Sequence, residues 1–309
     1  MTDLHPLLSF LESSPQQLLM SLIQENKRLF LSIIAEHASE GASSSATFFN
    51  SQLPRLDPRK SLLGVSKAKL KVINGDTFVV AREMMDVEGK ESVGKTAVLN
   101  LASDEYPGGG WESGSCAQEE CLCYSSTLFH TLSQPSIFQN YPWPNTGPGS
   151  AAGIFSEGVV VFREPLIRAE TLSQNTNAES TVCPILPPPS RKVLSVISVA
   201  APRYPVVTQD GSDFRDAAVK EDFKEKVRLV LRMAGIHDKR YLVLGAMGCG
   251  AYGCPPRTVA KLIRGVILEK EFVGWFTRII FAVYSSSESV RLGGSNFEVF
   301  RDVLEGVEV

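Results

Sequence analysis

Three consecutive glycines followed at short range by two consecutive glutamates mark the passage from Val98 to Leu128, VLNLASDEYPGGGWESGSCAQEECLCYSSTL. An apolar run ends near Ala102, Pro107 leads into Gly108, Gly109 and Gly110, and after seven intervening residues Gln118, Glu119 and Glu120 open an amphipathic stretch. Glycines in a row remove side chains, so backbone can approach a bulky ligand and adopt positive φ angles. Adjacent carboxylates can divide two tasks, one moving a proton and the other orienting a ligand. Cleaving a glycosidic bond needs that division, because the leaving oxygen must be protonated and a water activated against an oxocarbenium-like transition state. The same letters have a plainer reading. Ser115 and Gln118 fit a capping box, and acidic residues commonly fill a helix's first turn. Neither the glycines nor the glutamates are specific alone; their combination is.

A second glycine-rich passage lies at residues 241–256, YLVLGAMGCGAYGCPP. An apolar strand would run into Gly245, Gly248, Gly250 and Gly253, with a helix starting near Pro256. Such turns aim backbone N–H groups and a helix N-terminus at phosphate. No Gly-Lys-Ser/Thr follows, so this is not a nucleotide-triphosphate loop, and the glycine spacing is not that of dinucleotide oxidoreductases. A tight packing turn is the alternative.

The elements that must carry these loops alternate in type. Strands are expected at Leu70–Ile73, Thr77–Ala81, Thr96–Leu101, Val159–Phe162, Val193–Ala200, Tyr241–Leu244 and Arg278–Tyr284, most of them short, β-branched and without alternation, as suits strands buried on both faces. Helices are expected near Glu119–Leu132, Asp216–Ala234, Pro256–Phe272 and Asn296–Leu304. That order implies an α/β fold with a largely parallel or mixed sheet between helices, and its ligand crevice beyond the strand C-termini. Ahead of it, residues 15–37 place Leu18, Leu22, Ile23, Phe30, Ile33 and Ile34 at helical spacing, giving one or two amphipathic helices. Ser39 to Arg59 is rich in Ser, Gly, Ala and Pro and reads as linker. The expected division is thus an N-terminal helical accessory segment and linker over 1–64 and one catalytic domain over 65–309. Arg55, Arg59, Lys60, Lys67, Lys69 and Lys71 make a basic stretch at that boundary, either a solvated surface or a rail for a polyanion. Residues 164–192 are Pro- and Asn-rich and read as a long excursion.

Bulk properties set limits. With 309 residues and a net charge of −3, the chain has room for a large core and no general basic field for nucleic acid. The start, Met1 to Glu12, has acidic residues and no basic n-region, and no apolar run reaches membrane-spanning length. An intracellular location, nuclear or cytoplasmic, is the expectation. The six cysteines, Cys116, Cys121, Cys123, Cys183, Cys249 and Cys254, include no pair of CxxC motifs, so buried reduced thiols are expected rather than a metal site.

The glycine triplet, the spacer and Gln-Glu-Glu together resemble the signature of the poly(ADP-ribose) glycohydrolases, GGG followed by six to eight residues and QEE; the flanking VLNLAS and Ser125–Leu128 look like the microbial-type branch. The resemblance spans roughly residues 65–306. It implies a macrodomain-like three-layer α/β/α fold and hydrolysis of ribose–ribose bonds to release ADP-ribose from chain ends, with no metal or cofactor. Poly(ADP-ribose) and ADP-ribosylated proteins would be the partners, with no membrane and no sequence-specific nucleic acid. By the resemblance Glu120 is the acid–base residue, Glu119 binds the distal ribose hydroxyls, and Gln118 holds the register. Gly108, Gly109 and Gly110 lie against ribose and diphosphate. Gly248, Cys249, Gly250, Ala251, Tyr252 and Gly253 resemble the diphosphate loop, with Tyr252 where the family usually has Phe. A ring face is what that position requires, so replacing Tyr252 by Phe is expected to change little. Asn100 either touches the ligand or caps its strand. Asn74 with Asp76-Thr77 resembles the macrodomain start, and Ser198–Pro202 the strand end walling the pocket.

Two other functions remain to be separated from hydrolysis. A non-catalytic ADP-ribose reader would use both glycine loops but has no need of Glu119 and Glu120. An interaction scaffold would present Leu18, Leu22 and Ile33 on a free surface.

Overall fold

The computed structural model describes residues 15–61, 68–166, 182–286 and 294–309. Lys67, the first fourteen residues and the 167–181 part of the Pro- and Asn-rich excursion lie outside the described residues. In chain order the elements are α1 (Pro15–Glu36), β1 (Ala46–Phe49), β2 (Lys71–Ile73), α2 (Thr77–Glu88), β3 (Thr96–Leu101), α3 (Gln118–Ser125), α4 (Leu128–Leu132), α5 (Pro135–Phe138), β4 (Gly153–Val161), β5 (Lys192–Val199), α6 (Ala217–Ile236), β6 (Tyr241–Leu244), α7 (Pro256–Ile267), β7 (Arg278–Ala282) and α8 (Asn296–Leu304).

Seven strands form one sheet in the order β1-β4-β5-β3-β6-β7-β2. The pairings from β5 through β3, β6 and β7 to β2 are parallel, whereas β1–β4 and β4–β5 are antiparallel. Side chains alternate across β3: Val98 joins a core with Phe30 of α1, Phe78 of α2 and Leu122 of α3, while Ala97 and Leu99 join one with Phe223 of α6, Ile263 of α7 and Phe300 of α8. The result is the expected three-layer arrangement, with the parallel strands covered on both faces.

Three local expectations are corrected. Thr77–Ala81 is the start of a helix, not a strand. The Asp76 carboxylate accepts the N–H groups of Phe78 and Val79 at 2.8 and 3.1 Å, which begins α2, and Phe78, Ala81 and Met85 recur at helical spacing in the core. In so short a β-branched window the cap, not the propensity, decides. The reading of Ser39–Arg59 as linker fails at Ala46–Phe49, which forms the edge strand β1 paired with β4. The helix expected over Glu119–Leu132 breaks at Ser126, whose hydroxyl donates to the Leu122 carbonyl at 2.7 Å and accepts the Leu128 N–H at 3.1 Å. That break lets Ser126 bridge to Val161 and the Thr127 hydroxyl accept the Val160 N–H at 3.0 Å.

The amphipathic face of α1 is core. Leu22 and Ile33 are buried and Leu18 packs against the same cluster, so they offer no free partner surface. No helix among the described residues is long and apolar enough to cross a membrane.

Candidate active site

A cleft of about 1270 Å³ opens beyond the C-terminal ends of the parallel strands. Its walls are the end of β3, the glycine loop, the first turn of α3, the segments after β5 and β6, and the end of β7 with Asn74–Thr77. This is where a sheet of this type leaves backbone N–H groups and loop side chains unoccupied by packing.

Gln118 fastens α3 to the sheet. Its side-chain oxygen accepts the Leu101 N–H at 2.9 Å, and its amide nitrogen donates to the Leu99 carbonyl at 2.9 Å and the Thr77 hydroxyl at 3.1 Å. Only a side-chain amide of this length both donates and accepts here. The capping box suggested by Ser115 does not form, because α3 starts from Ala117 with no side-chain cap.

Held this way, α3 drives both glutamates into the cleft floor, where Glu119 and Glu120 are 3% and 6% exposed. Glu119 uses both oxygens: one accepts Asn100 Nδ2 at 2.9 Å, the other the Ser103 N–H at 2.7 Å. Glu120 has one oxygen fixed by the Gly110 N–H at 2.7 Å, while its other, buried oxygen has no hydrogen-bond partner. Burial pushes the Glu119 carboxyl up to about 8, and the Glu120 charge adds to it, against the lowering effect of Asn100, Ser103 and Gly108. Gly109 makes this contact possible. It sits at φ +57°, and a Cβ there would lie 2.5 Å from a Glu120 oxygen.

The second loop forms the opposite wall. Gly248, Gly250, Ala251 and Tyr252 line the cleft. The N–H groups of Cys249, Gly253 and Cys254 instead turn into the loop, bonding Ala246, Gly250 and Gly248 carbonyls. Gly248, at φ +77°, lets the loop pass over Cys254, whose sulfur would be 2.6 Å from a Cβ. Burial and the nearby Asp104 charge push the Tyr252 hydroxyl well above its ordinary range, so it stays a protonated donor.

The structure therefore brings together Gly109, Gly110, Gln118, Glu119, Glu120, Gly248, Gly250, Ala251 and Tyr252 around one cleft. Asn100, Gly108, Cys249 and Gly253 do not line it. Asn100 is fully buried, and its Nδ2 is spent on Glu119 and, at 3.0 Å, on the Ser198 hydroxyl, so it orients a carboxylate rather than lining the cleft. Gly108 packs toward Phe129 and Cys123. Asn74, Asp76, Thr77 and Ala201 also line the cleft. Sequence reasoning missed Ser103, which acts through its backbone and leaves no sequence signal. It also missed Arg203 and Asp104, an ion pair formed between residues a hundred positions apart.

The chain is similar to known proteins. The family profile described as the catalytic domain of microbial-type PARG, poly(ADP-ribose) glycohydrolase, matches residues 25–164. Over those residues the chain is similar to the microbial-type poly(ADP-ribose) glycohydrolases. Solved structures agree. The Thermomonospora curvata enzyme bound to the inhibitor ADP-HPD superposes with a TM-score of 0.68 at 24% identity, over 92% of this chain and 98% of that one, a likeness of fold. A Deinococcus radiodurans poly(ADP-ribose) glycohydrolase in complex with ADP-ribose is 28% identical over 77% of this chain and 84% of that one, TM-score 0.60. A point variant of the Deinococcus enzyme, also with ADP-ribose, is 25% identical over 87% of this chain and 97% of that one, TM-score 0.63. Among curated protein sequences none matches the chain. The family match reaches from the middle of α1 to just past β4, so it includes both glutamates and the second half of the helix that packs behind them.

Proposed function

We propose that this chain hydrolyses the ribose–ribose O-glycosidic bonds of ADP-ribose polymers, releasing ADP-ribose from chain ends, with Glu120 as its acid–base residue. The observation that carries this reading is the state of the two Glu120 oxygens: one fixed by the Gly110 N–H, the other buried at the cleft floor without a partner. A buried carboxyl oxygen left unsatisfied is unfavourable unless a ligand completes it. Glu119 differs, with both oxygens already engaged, and suits ribose hydroxyls that add to an existing network.

Hydrolysis then needs one carboxyl in two steps. Protonated Glu120 gives its proton to the departing ribose oxygen as the C–O bond breaks. The carboxylate left behind takes a proton from water as the water oxygen bonds to the anomeric carbon. The N-terminus of α3 favours the negative charge left on the carboxylate between the two steps. The ligands of the Deinococcus and Thermomonospora structures, ADP-ribose and ADP-HPD, support ADP-ribose as the unit held between the two glycine loops. ADP-ribosylated proteins would be the carriers of the polymer. Cys183 and Cys254, buried thiols outside any disulfide, favour an intracellular setting.

The test is release of free ADP-ribose from labelled polymer by the purified protein. Product accumulating with shortening of the polymer is the expected result. Polymer retained at full length but bound would make the chain a reader instead.

A further inference from the structure

Asp104 is the buried carboxylate beside the cleft to which neither the sequence motifs nor the reaction gives a task. It is 2% exposed and lies between the end of β3 and the glycine loop. One of its oxygens accepts the Tyr252 hydroxyl at 2.9 Å, and the other lies 3.4 Å from the Arg203 guanidinium, which also pairs with Glu105. Its own carbonyl accepts the Trp143 N–H at 3.1 Å. These contacts join three cleft walls that have no covalent reason to stay together: the loop after β3, the segment after β5 and the loop after β6. The Tyr204 N–H closes the same ring by donating to the Tyr252 carbonyl at 3.0 Å, with the two rings 6.1 Å apart.

A buried charge is retained only where its partners compensate its loss of water, and this one is placed where it fixes loops rather than packs a core. We propose that Asp104 is a positioning residue that, through Tyr252 and Arg203, clamps the two glycine-rich walls at the separation an ADP-ribose diphosphate requires. The tyrosine hydroxyl is then not an incidental departure from phenylalanine; it is the donor that Asp104 was buried to meet. Tyr252→Phe, expected from the sequence to change little, becomes a loss of function with the ring intact. This inference rests on the ADP-ribose reading of the cleft.

The experiment is a cycle of Tyr252→Phe, Asp104→Ala and the double variant, in the full chain, reading ADP-ribose affinity by calorimetry, KM and kcat on polymer, and melting temperature. Each single variant should weaken ADP-ribose binding and raise KM about tenfold or more, as loss of a hydrogen bond to a charged group does, with a smaller change in kcat. The double variant should bind about as well as Asp104→Ala, because the hydroxyl that Tyr252→Phe removes has already lost its carboxylate acceptor. Singles that lower the melting temperature but leave affinity and KM within a factor of two would overturn the clamp, as would strictly additive losses. A parent protein that binds ADP-ribose without cutting polymer defeats the hydrolase reading while the affinity cycle still decides the clamp. A parent that does neither overturns both.

Discussion

Glu119 and Glu120 are neighbours in sequence and meet opposite surroundings, so their substitutions should separate. Glu120→Gln keeps the size and the contact to Gly110 but cannot donate a proton to the leaving oxygen. It should lower kcat by ~10²–10⁴-fold with ADP-ribose affinity nearly unchanged, as single-turnover kinetics and calorimetry would show. Glu119→Gln puts an NH₂ group among donors, since Asn100 Nδ2 and the Ser103 N–H already point at that side chain. It should weaken ADP-ribose binding as well as turnover. Retained turnover in Glu120→Gln, with the catalytic loss confined to Glu119→Gln, would exchange the roles. The Glu119 carboxyl also sets a pH dependence of stability. Its value is raised from 4.5 to about 8, so the folded state holds a proton that the unfolded chain releases. The stability it lends is complete at low pH and is lost as pH rises from about 4.5 to about 8, with a slope of at most about 1.4 kcal/mol per pH unit. Denaturant melts between pH 5 and 8 should show that decline in the unliganded protein, and Glu119→Gln should flatten it.

At the scale of elements, α1 is what holds α3 from behind. Asn26, fully buried, donates to the Tyr124 carbonyl in the last turn of α3 at 2.8 Å and accepts Arg163 Nε at 2.7 Å. Arg163 is buried too, pairing with Glu25 at 2.7 Å and the Cys183 carbonyl at 2.9 Å. Phe30 meanwhile lies 6.3 Å from the Trp111 ring, one residue past the glycine triplet. Asn26→Ala strands a buried guanidinium nitrogen and a helix-end carbonyl together. The expected loss is about 2–4 kcal/mol, read as a lower urea midpoint at unchanged m-value, with a fall in kcat as α3 loosens. A variant with full stability would mean that Arg163 and α3 do not depend on α1.

For the whole molecule, the cleft exists only when both loops, both cores and the sheet between them are assembled, so ligand binding should report on global folding. ADP-ribose at a hundredfold excess over its dissociation constant should add about 2.7 kcal/mol to unfolding, in the parent and in Glu120→Gln alike. A melting temperature indifferent to ADP-ribose in a folded sample would remove the ligand assignment for the entire cleft.

The amino-acid order alone determined the α/β layering, the β3 and β6 strands and the pairing of two glycine loops with Gln118, Glu119 and Glu120. Those features are local: apolar β-branched runs, glycine where φ must be positive, and a motif compressed into a few turns of chain. The tertiary structure alone decided that Thr77–Ala81 is helical, that residues 46–49 close the sheet edge, and that Asn100 serves Glu119 from behind instead of lining the cleft. It alone decided that Tyr252 has a partner in Asp104, nearly 150 positions away. Each of these depends on which distant group arrives to satisfy a hydrogen bond or cover an edge, and sequence spacing carries no information about that. The chemistry of the site was written in neighbouring letters; its orientation was set by contacts between remote ones.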